Sequence, residues 1–534
     1  MAGTKINNTG VTFSDSTIQY SSNKARYPTK LSKYTGAKNT YFGMSVIMSD
    51  GLVAKMGWNG YYQLGMGGGG VSSGQYFLEP MMTAFPYSFP GAAEVYDNPE
   101  TSQTYGNNAC IDVNGQLWTW GRNYYGGCGN GYSEYVNGSA LSALRVPYNA
   151  STNVLNSIYG KTVVQVVMPW GAESADEIYV RCSDGTVHAA GYNGYGQRGN
   201  GTTGTYTGRF YQVSTITNAT SIFAGRTAYC KAGAVTSSGQ LYMWGYNANN
   251  DLGNNNTTNQ SSPVLINSYG SLVGKTVTSA AIAMTNGFAV CSDGTLHAWG
   301  NNNAGQLGDG GSTTSAVPKQ VNTGVASVYT GGYETGAGTV TFILKTNGTV
   351  WYTGTAAQGW LYGPNAYETG YVDDGEGGST LVTLTLTWPD GTVWRQITGF
   401  SGTIEKIVQC QYATVSGGVS LIIMTTDGKL WGYGSNNYGV LGTGKTDNVM
   451  YTDGTTPALD LRTGGQYSPM NIGPAIPATS ILMADISLQQ YSGEPVCYML
   501  SRDNRLFGMG ASGGYDLGRH NLNFSTPQKI QLPQ

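Results

Sequence analysis

Short runs of alternating apolar and polar residues recur along the whole chain, and each is interrupted by a turn signal. Apolar runs such as MSVIM (44–48), GFAVC (287–291) and SLIIM (420–424) lie shortly before an Asp-Gly, Asn-Gly or Ser-Gly pair. A second apolar run follows each pair, as at Leu296 and Ala298. This pattern predicts β-hairpins with type I′ turns, in which both central residues have a positive φ.

The hairpin is part of a repeat that occurs eight times. The fullest copy is SDGTLHAWGNNNAGQLG (292–308), and the others begin near 49, 113, 183, 237, 346, 426 and 502. A glycine follows the second strand of every copy, at Gly57, Gly121, Gly191, Gly245, Gly300, Gly354, Gly434 and Gly510. We expect this glycine to allow close packing or a left-handed backbone. Leu307 is the apolar residue of its loop, and we expect it to be buried like its equivalents Leu64, Leu252, Leu441 and Leu517.

Four short strands in a repeat of roughly 55 residues are typical of a β-propeller blade. We therefore predict an all-β propeller of eight four-stranded antiparallel blades over residues 29–534, after a β-rich N-terminal attachment segment at 1–28. The predicted hairpins lie near 41–57, 107–121, 177–191, 227–245, 285–300, 338–354, 418–434 and 494–510, with an insertion hairpin at 381–398.

The two ends of the chain bear on how the ring closes. The last repeat stops at PQKIQLPQ (527–534), before a final strand is evident. We expect a strand near 29–36 to complete that blade, because sharing one blade between the termini removes two exposed sheet edges.

The copy at 292–308 resembles the repeat of the regulator of chromosome condensation family, in which G-x-N-x-x-G-Q-L-G follows a Trp-Gly strand. The resemblance covers roughly residues 40–534, and GTAAQGWLYG (354–363) departs from it because the Asn is lost. Seven blades are the family norm, whereas the eight copies predict eight here. The resemblance implies a propeller that holds a protein partner on one face.

The segment INNTGVTFSDSTIQYSS (6–22) resembles a short motif near the start of many phage tail and fibre proteins, with Ser16 in place of the usual Gly. This resemblance implies attachment to other virion or tail proteins, and a place in the virion tail after synthesis in a host cytoplasm. The alternative is a polar leader without such a role.

Composition excludes several classes of function. Charged residues make up 11% of the chain, the formal net charge is −3 and no dense Lys/Arg run occurs. We therefore expect no nucleic-acid binding. No apolar run reaches the roughly 18 residues of a membrane helix, and the N-terminus has no secretory apolar region, so we expect no membrane insertion. The seven cysteines form no CxxC pair, which argues against a disulfide framework or a zinc site.

Catalytic patterns are missing from the sequence. No HExxH, P-loop, GxSxG or dinucleotide fingerprint occurs. His188 and His297 occupy equivalent positions in two repeats, which separates them in space and predicts structural or surface roles rather than a shared metal site. The acidic stretches at 171–178 and 373–378 lack the spacing of a calcium loop and are interpreted as solvated loops. We expect no catalytic residue, no metal and no cofactor.

Aromatic side chains in the repeat loops are the candidate binding residues. They are Tyr61, Tyr62, Tyr124, Tyr125, Tyr195, Tyr438 and Trp360. Equivalent positions in successive blades should place them at one end of the ring. They either pack neighbouring loops together or form a face that binds a host surface protein or glycan.

Three functions remain open at this point. The prediction is a phage virion structural protein, associated with a tail fibre or baseplate, that binds a receptor or a neighbouring subunit. The alternatives are a soluble regulatory propeller of the exchange-factor or inhibitor type, and an enzyme that depolymerises host glycans. The low charge, the leader and the missing catalytic patterns favour the first. The oligomeric state is left open.

Overall fold

The structure is a computed structural model of the whole chain, and its strands form eight repeat sheets, one small N-terminal sheet and one two-stranded ribbon. It describes residues 5–7, 10–12, 18–19, 26–34, 44–58, 64–65, 76–97, 107–123, 125–131, 139–146, 156–169, 177–225, 230–283, 285–330, 340–354, 367–373, 379–385, 392–397, 400–411, 419–434, 470–471, 483–491, 494–510 and 524–529.

The first four repeat sheets follow one another along the chain. Sheet 1 consists of Pro28–Leu31, Ser45–Met48, Val53–Trp58 and Tyr76–Met82. Sheet 2 consists of Lys33–Tyr34, Ala92–Asp97, Asn107–Asp112, Leu117–Arg122 and Ser139–Val146. Sheet 3 consists of Val163–Val167, Ile178–Cys182, Val187–Asn193 and Gly204–Gln212. Sheet 4 consists of Ala219–Ala224, Lys231–Thr236, Leu241–Gly245 and Gln260–Leu265.

The other four continue the series. Sheet 5 consists of Val277–Ile282, Asn286–Cys291, Leu296–Gly300 and Ser315–Asn322. Sheet 6 consists of Val325–Thr330, Val340–Lys345, Val350–Gly354 and Arg395–Ile397. Sheet 7 consists of Ile404–Gln411, Val419–Thr425, Leu430–Gly434 and Met470–Asn471. Sheet 8 consists of Met483–Tyr491, Glu494–Ser501, Leu506–Gly510 and Phe524–Lys529.

The remaining elements lie outside these sheets. The N-terminal sheet consists of Lys5–Asn7, Gly10–Thr12 and Ile18–Gln19, and it pairs with no propeller strand among the described residues. Two short 3₁₀ helices, Ile266–Ser268 and Gly270–Leu272, follow sheet 4. In the part of the chain that the structure describes, no helix is long and apolar enough to cross a lipid bilayer.

The predicted eight antiparallel sheets of an all-β propeller are confirmed. Sheet 2 carries one strand more than the others, because Lys33–Tyr34 pairs in parallel with Ala92–Asp97. The first strands contact one another between sheets 3 and 4, 4 and 5, 5 and 6, 7 and 8, and 8 and 1, which places the first strands around the axis of the ring. Each sheet has two ends. The turn end holds the turns between second and third strands and the connections to the next sheet. The loop end holds the connections from first to second and from third to fourth strands.

Hydrophobic cores lie between neighbouring sheets rather than within one sheet. Trp299 of sheet 5 packs with Leu241 and Met243 of sheet 4. Leu31 of sheet 1 packs with Tyr498 and Leu500 of sheet 8. A cluster of this kind occupies each of the eight junctions, so packing of faces closes the ring.

The prediction that the termini share a blade is wrong. Phe524–Lys529 pairs with Leu506–Gly510 and completes sheet 8 from its own repeat. Pro28–Leu31 pairs with Ser45–Met48 and is the first strand of sheet 1. Sheet 8 therefore has no vacant position, and sheets 8 and 1 are joined by the packing of their faces.

The predicted insertion hairpin at 381–398 is also wrong. Ser379–Thr385 pairs in antiparallel fashion with the preceding strand, Tyr367–Asp373, and the two form the two-stranded ribbon. Arg395–Ile397 pairs instead with Val350–Gly354 as the fourth strand of sheet 6. Ile397 is buried in the core between sheets 6 and 7, and this burial favours that position over a hairpin outside the ring.

The turn type differs from the type I′ prediction. In sheet 5, Gly294 has a φ of 77°, while Asp293 is not among the residues with positive φ. The N–H of Gly294 donates to the carbonyl of Cys291, and the N–H of Cys291 donates to the carbonyl of Thr295, both at 2.9 Å. This is a type I turn followed by one left-handed glycine. The Asp293 carboxylate accepts the N–H of Thr295 at 3.1 Å and stabilises the turn.

Candidate binding surface at the loop end

In the described loops, the asparagine of the Gly-x-Asn sequence holds the loop closed. The Oδ1 of Asn302 accepts the N–H of Leu307 at 3.0 Å. Its Nδ2 donates to the Oδ1 of Asp309 at 2.8 Å and to the carbonyl of Gly311 at 3.0 Å. Asn302 is itself buried, so each of these bonds satisfies a group that is shielded from water.

The same arrangement recurs in the loops of sheets 2, 3 and 4. Asn123 accepts the N–H of Cys128 at 2.8 Å, Asn193 that of Arg198 at 2.9 Å and Asn247 that of Leu252 at 2.9 Å. The Gly-x-Asn loop is therefore a structural unit with a fixed backbone, and the side chains around it vary between copies.

The predicted burial of the loop leucine is confirmed in three copies. Leu64, Leu252 and Leu307 are each fully buried, while Leu441 and Leu517 lie outside the described residues. Cys128 and Arg198 take the position in sheets 2 and 3 and are also buried. The guanidinium of Arg198 lies 4.9 Å from the ring centre of Tyr211.

The repeat glycines have the predicted backbone in the copies where φ is described. Gly121, Gly191, Gly245, Gly300 and Gly354 have φ between 91° and 106°. A Cβ on Gly300 would lie 2.2 Å from the carbonyl oxygen of Thr285 and 2.8 Å from the Cα of Asn286. The position therefore requires glycine both for its φ and for its space.

In the described loops, the last glycine packs on an aromatic ring of the following sheet. A Cβ on Gly199 would lie 2.8 Å from the Trp244 ring, and one on Gly253 would lie 2.7 Å from the Trp299 ring. The indole N–H of Trp299 donates to the carbonyl of Asp251 in the same loop at 2.9 Å. Each of these described loops is thus fixed to its neighbouring sheet as well as to its own.

Four tyrosines form a continuous row across the loops of sheets 2, 3 and 4. We call Tyr125, Tyr192, Tyr195 and Tyr246 the tyrosine row. Ring centres are 5.4 Å apart between Tyr125 and Tyr192, 6.3 Å between Tyr192 and Tyr195 and 5.4 Å between Tyr195 and Tyr246. The rings meet edge to face, and all four side chains are half-buried. The row joins three loops while leaving part of each ring at the surface.

The structure brings together two of the predicted aromatic residues, Tyr125 and Tyr195. The other five, Tyr61, Tyr62, Tyr124, Tyr438 and Trp360, lie outside the described residues. Sequence reasoning missed Tyr192 and Tyr246. Each directly follows a repeat glycine in the sequence Gly-Tyr-Asn, a shared pattern that could have placed them in the same loops.

Charged pairs are buried near the loop end. Lys231 and Asp251 form an ion pair with an Nζ–Oδ2 distance of 2.8 Å, and both side chains are fully buried. Lys55 and Asp97 lie between sheets 1 and 2 with an Nζ–Oδ1 distance of 2.7 Å. Burial alone would raise the pKa of Asp97, but the charge and hydrogen bond of Lys55 outweigh it and lower the pKa. These pairs are closed to ligands and serve the packing of the ring.

The two histidines lie in equivalent networks at the turn end, as their sequence positions predict. In sheet 5, His297 bonds the hydroxyl of Ser271 through Nδ1 at 2.7 Å and that of Thr295 through Nε2 at 2.9 Å. In sheet 3, His188 bonds Ser157 at 2.7 Å and Thr186 at 2.8 Å in the same way. Both imidazoles are fully buried.

Burial keeps these two histidines neutral. It lowers the pKa of both His188 and His297 to about 4, helped by the positive charge of Lys161 or Lys275. No group of three or more metal-ligating side chains occurs within the described residues. The six described free cysteines are buried, in keeping with apolar packing roles.

Together these features define a β-propeller of eight sheets that presents a row of tyrosines at its loop end. Residues 238–290 and 293–337 match the model of the regulator of chromosome condensation (RCC1) repeat. The chain therefore contains RCC1-type repeats within these residues, and it folds as an all-β propeller.

Known proteins with similar sequences share only part of the chain. It is 28% identical over 221 residues to the human E3 ubiquitin-protein ligase HERC2, which covers 41% of this chain and 4% of HERC2. It is 28% identical over 211 residues to the ultraviolet-B receptor UVR8 of Arabidopsis thaliana, which covers 40% of each protein. The chain thus spans less than half the length of these relatives.

The crystal structure of human WBSCR16 has a similar fold. The TM-score is 0.51 at 18% sequence identity, and the match covers 82% of this chain and 96% of that one. This similarity concerns the fold alone.

Proposed function

We propose that this chain is a partner-binding propeller without catalytic activity, and that the tyrosine row at the loop end is its binding surface. The row is the observation that carries the proposal. Tyrosine offers a large contact area and a hydroxyl while losing little rotamer entropy on binding. The row is also held in place before any partner arrives, because Asn193 and Asn247 fix the loops that carry it.

We further propose that the propeller is part of a phage virion, in the tail fibre or baseplate, where its loops contact a host receptor or a neighbouring subunit. The leader motif at 6–22 supports this setting. The leader forms its own small sheet, which pairs with no propeller strand among the described residues, as we would expect of an attachment segment. On this proposal the leader binds other tail proteins and the loop end remains accessible to a host surface protein or glycan.

The virion proposal is tested first. Mass spectrometry of purified phage particles should find the chain at a stoichiometry fixed relative to the tail proteins. Its absence from particles, with the chain present in the lysate, would refute the virion setting while leaving the binding surface in place.

The tyrosine row is tested by phage adsorption. Particles that carry Tyr125→Ala with Tyr195→Ala should adsorb to host cells at least about tenfold more slowly, since truncating a buried interface aromatic costs about 1–2 kcal/mol. The matched control is Tyr87→Ala with Tyr159→Ala, because these tyrosines are 74% and 61% exposed at the turn end. Equal adsorption by both variants would contradict a role for the row.

The second candidate is a soluble regulatory propeller that holds a protein partner. The RCC1 repeats and the partial similarity to a ligase and a photoreceptor favour it. It predicts the chain free in the infected or expressing cell and bound to one protein, with the complex lost on Tyr125→Ala and Tyr195→Ala. Absence of the chain from particles together with such a complex would select this candidate.

A further inference from the structure

One backbone hydrogen bond recurs at the turn end between successive sheets. The first residue of a sheet donates its N–H to the carbonyl of the turn glycine in the preceding sheet. Six junctions have this bond, at 2.8–3.0 Å: Ala92 to Gly51, Val163 to Gly115, Ala219 to Gly185, Val277 to Gly239, Val325 to Gly294 and Met483 to Gly428. It is the regular way in which the turn ends of neighbouring sheets are joined.

Two junctions lack the bond, for different reasons. Between sheets 8 and 1 the first residue is Pro28, which has no N–H to donate. Between sheets 6 and 7 both groups exist, on Ile404 and Gly348, yet no bond joins them. At the junction between sheets 6 and 7, the donor N–H of Ile404 and the acceptor carbonyl of Gly348 are therefore both present but are not hydrogen-bonded to each other.

The separation is visible in exposure and in contacts. Gly348 is exposed and Ile404 half-buried, whereas the first residue is buried at all six bonded junctions. A Cβ on Gly348 would meet nothing within 4 Å, whereas one on Gly239 would lie 2.3 Å from Thr276. The packed core between sheets 6 and 7 is intact further inside. The two sheets thus diverge only towards their turn ends.

Each of the two sheets keeps its own regular turn. The N–H of Thr346 donates to the carbonyl of Gly324 at 2.9 Å within sheet 6. The N–H of Thr426 donates to the carbonyl of Thr403 at 2.8 Å within sheet 7. The gap consequently lies between the turn ends of two sheets that are each regularly hydrogen-bonded, and it does not result from an irregular turn in either sheet.

An open cleft occupies this gap. Its walls come from Ala326, the turn at 344–348 and the entry to sheet 7 at 402–404. Leu344, Ile404 and Ala326 make it partly apolar, while Gly348 and Gly402 add no side chain. Lys345 is the charged lining residue, and its ammonium lies 4.8 Å from the ring centre of Trp351. The cleft therefore suits a neutral ligand that offers both a donor and an acceptor.

We propose that this cleft binds an extended peptide segment of a partner protein. A peptide amide offers an N–H for the carbonyl of Gly348 and a carbonyl for the N–H of Ile404, and so restores both halves of the missing bond. A small or branched apolar side chain of the peptide packs against Ala326, Leu344 and Ile404. The site lies at the end of the ring opposite the tyrosine row and is independent of the function proposed for that row.

The test is affinity selection from a random library of N-acetylated hexapeptide amides. The wild-type chain should retain a subset of peptides, and Ala326→Trp, which fills the cleft, should reduce their retention at least tenfold. The matched control is Val164→Trp at the equivalent strand position of sheet 3, where the junction is closed and the side chain is 38% exposed. No retained peptide, or equal retention by Ala326→Trp, would overturn the proposal.

Two further measurements keep the result interpretable. Thr403→Trp blocks the cleft from its other wall and should act like Ala326→Trp, with both variants melting like wild type. N-methylation of each amide of a retained peptide in turn should weaken binding at least tenfold at one central position, where the N–H to Gly348 is lost. Binding that no N-methylation reduces tenfold would contradict the hydrogen-bond exchange.

Discussion

Several buried polar side chains in this protein form hydrogen bonds with backbone or hydroxyl groups that would otherwise be unsatisfied. Asn302 closes a loop, and His297 links a serine to a threonine whose hydroxyl bonds the turn residue Asp293 at 2.6 Å. His188 does the same in sheet 3. Such residues are costly to charge or remove, because the fold offers them no water.

The two histidines predict how stability depends on pH. Their pKa in the fold is about 4, below the value of about 6.5 in an unfolded chain, so the unfolded state binds more protons between these values. The stabilisation is fully present above pH 6.5 and is lost as the pH falls towards 4, by up to about 3 kcal/mol for each histidine. Urea unfolding at pH 7.5, 6 and 5 measures it.

The control for this prediction is His188→Gln with His297→Gln. The double variant should be less stable than wild type at pH 7.5 and should show a clearly flatter decline between pH 6.5 and 4.5. If the free energy of unfolding of the double variant fell as steeply with pH as that of wild type, groups other than the two histidines would be responsible for the pH dependence.

At the scale of the element, hairpin and loop form one unit that is held at both ends. The turn glycine ends one strand and starts the next, and the Gly-x-Asn loop returns the chain through a buried leucine. In the described loops, the last glycine then packs on an aromatic ring of the next sheet. Loss of the closed conformation of one loop should therefore destabilise both its own sheet and the next sheet.

Substitution of the loop asparagine tests how much the closed loop contributes to the stability of the fold. Asn302→Ala leaves the buried N–H of Leu307 without its acceptor and should lower the free energy of unfolding by about 2–3 kcal/mol. Asn303→Ala, at the exposed neighbouring position, should cost less than about 0.5 kcal/mol. Chemical denaturation of the two variants checks this, and equal losses would contradict the structural role of Asn302.

The sequence predicts most of these elements because each repeat supplies the same local signals. The hairpins, the left-handed glycines and the buried Leu307 follow from spacing alone. The turn type does not, because Asp-Gly suits two turn geometries and the side-chain bonds of Asp293 select between them. The ribbon at 367–385 was not predicted, because the alternation of apolar and polar residues does not show whether Ser379–Thr385 pairs with the strand before it or with the strand after it. The tyrosine row was half predicted, since Tyr192 and Tyr246 stand at a different loop position from Tyr125 and Tyr195.

At the scale of the whole molecule, the ring is a series of shared cores. Each sheet contributes one face to the core before it and the other to the core after it, so its stability depends on both neighbours. The closure between sheets 8 and 1 is one more core of the same kind. Its form could not be read from the sequence, since a terminal strand near residue 29 suits either blade.

Truncation distinguishes the leader from the ring. Removal of residues 1–25 should leave the melting temperature within about 2 °C of wild type, because the leader sheet pairs with no propeller strand. Removal of residues 1–34 should lower it by at least about 5 °C, because Leu31 and the first strand of sheet 1 are lost. Differential scanning calorimetry of both variants measures this, and equal losses would place the leader in the ring.

Because the ring closes by the packing of sheets 8 and 1 and not by a shared sheet, repeats can be gained or lost during evolution of the gene. Every sheet is drawn from one unbroken stretch of sequence, and sheet 2 alone adds a short strand from elsewhere, Lys33–Tyr34. Duplication or loss of one of the repeats that form sheets 3 to 8 would therefore add or remove a whole sheet and divide none. A ring whose ends shared a blade would lack that freedom at its seam.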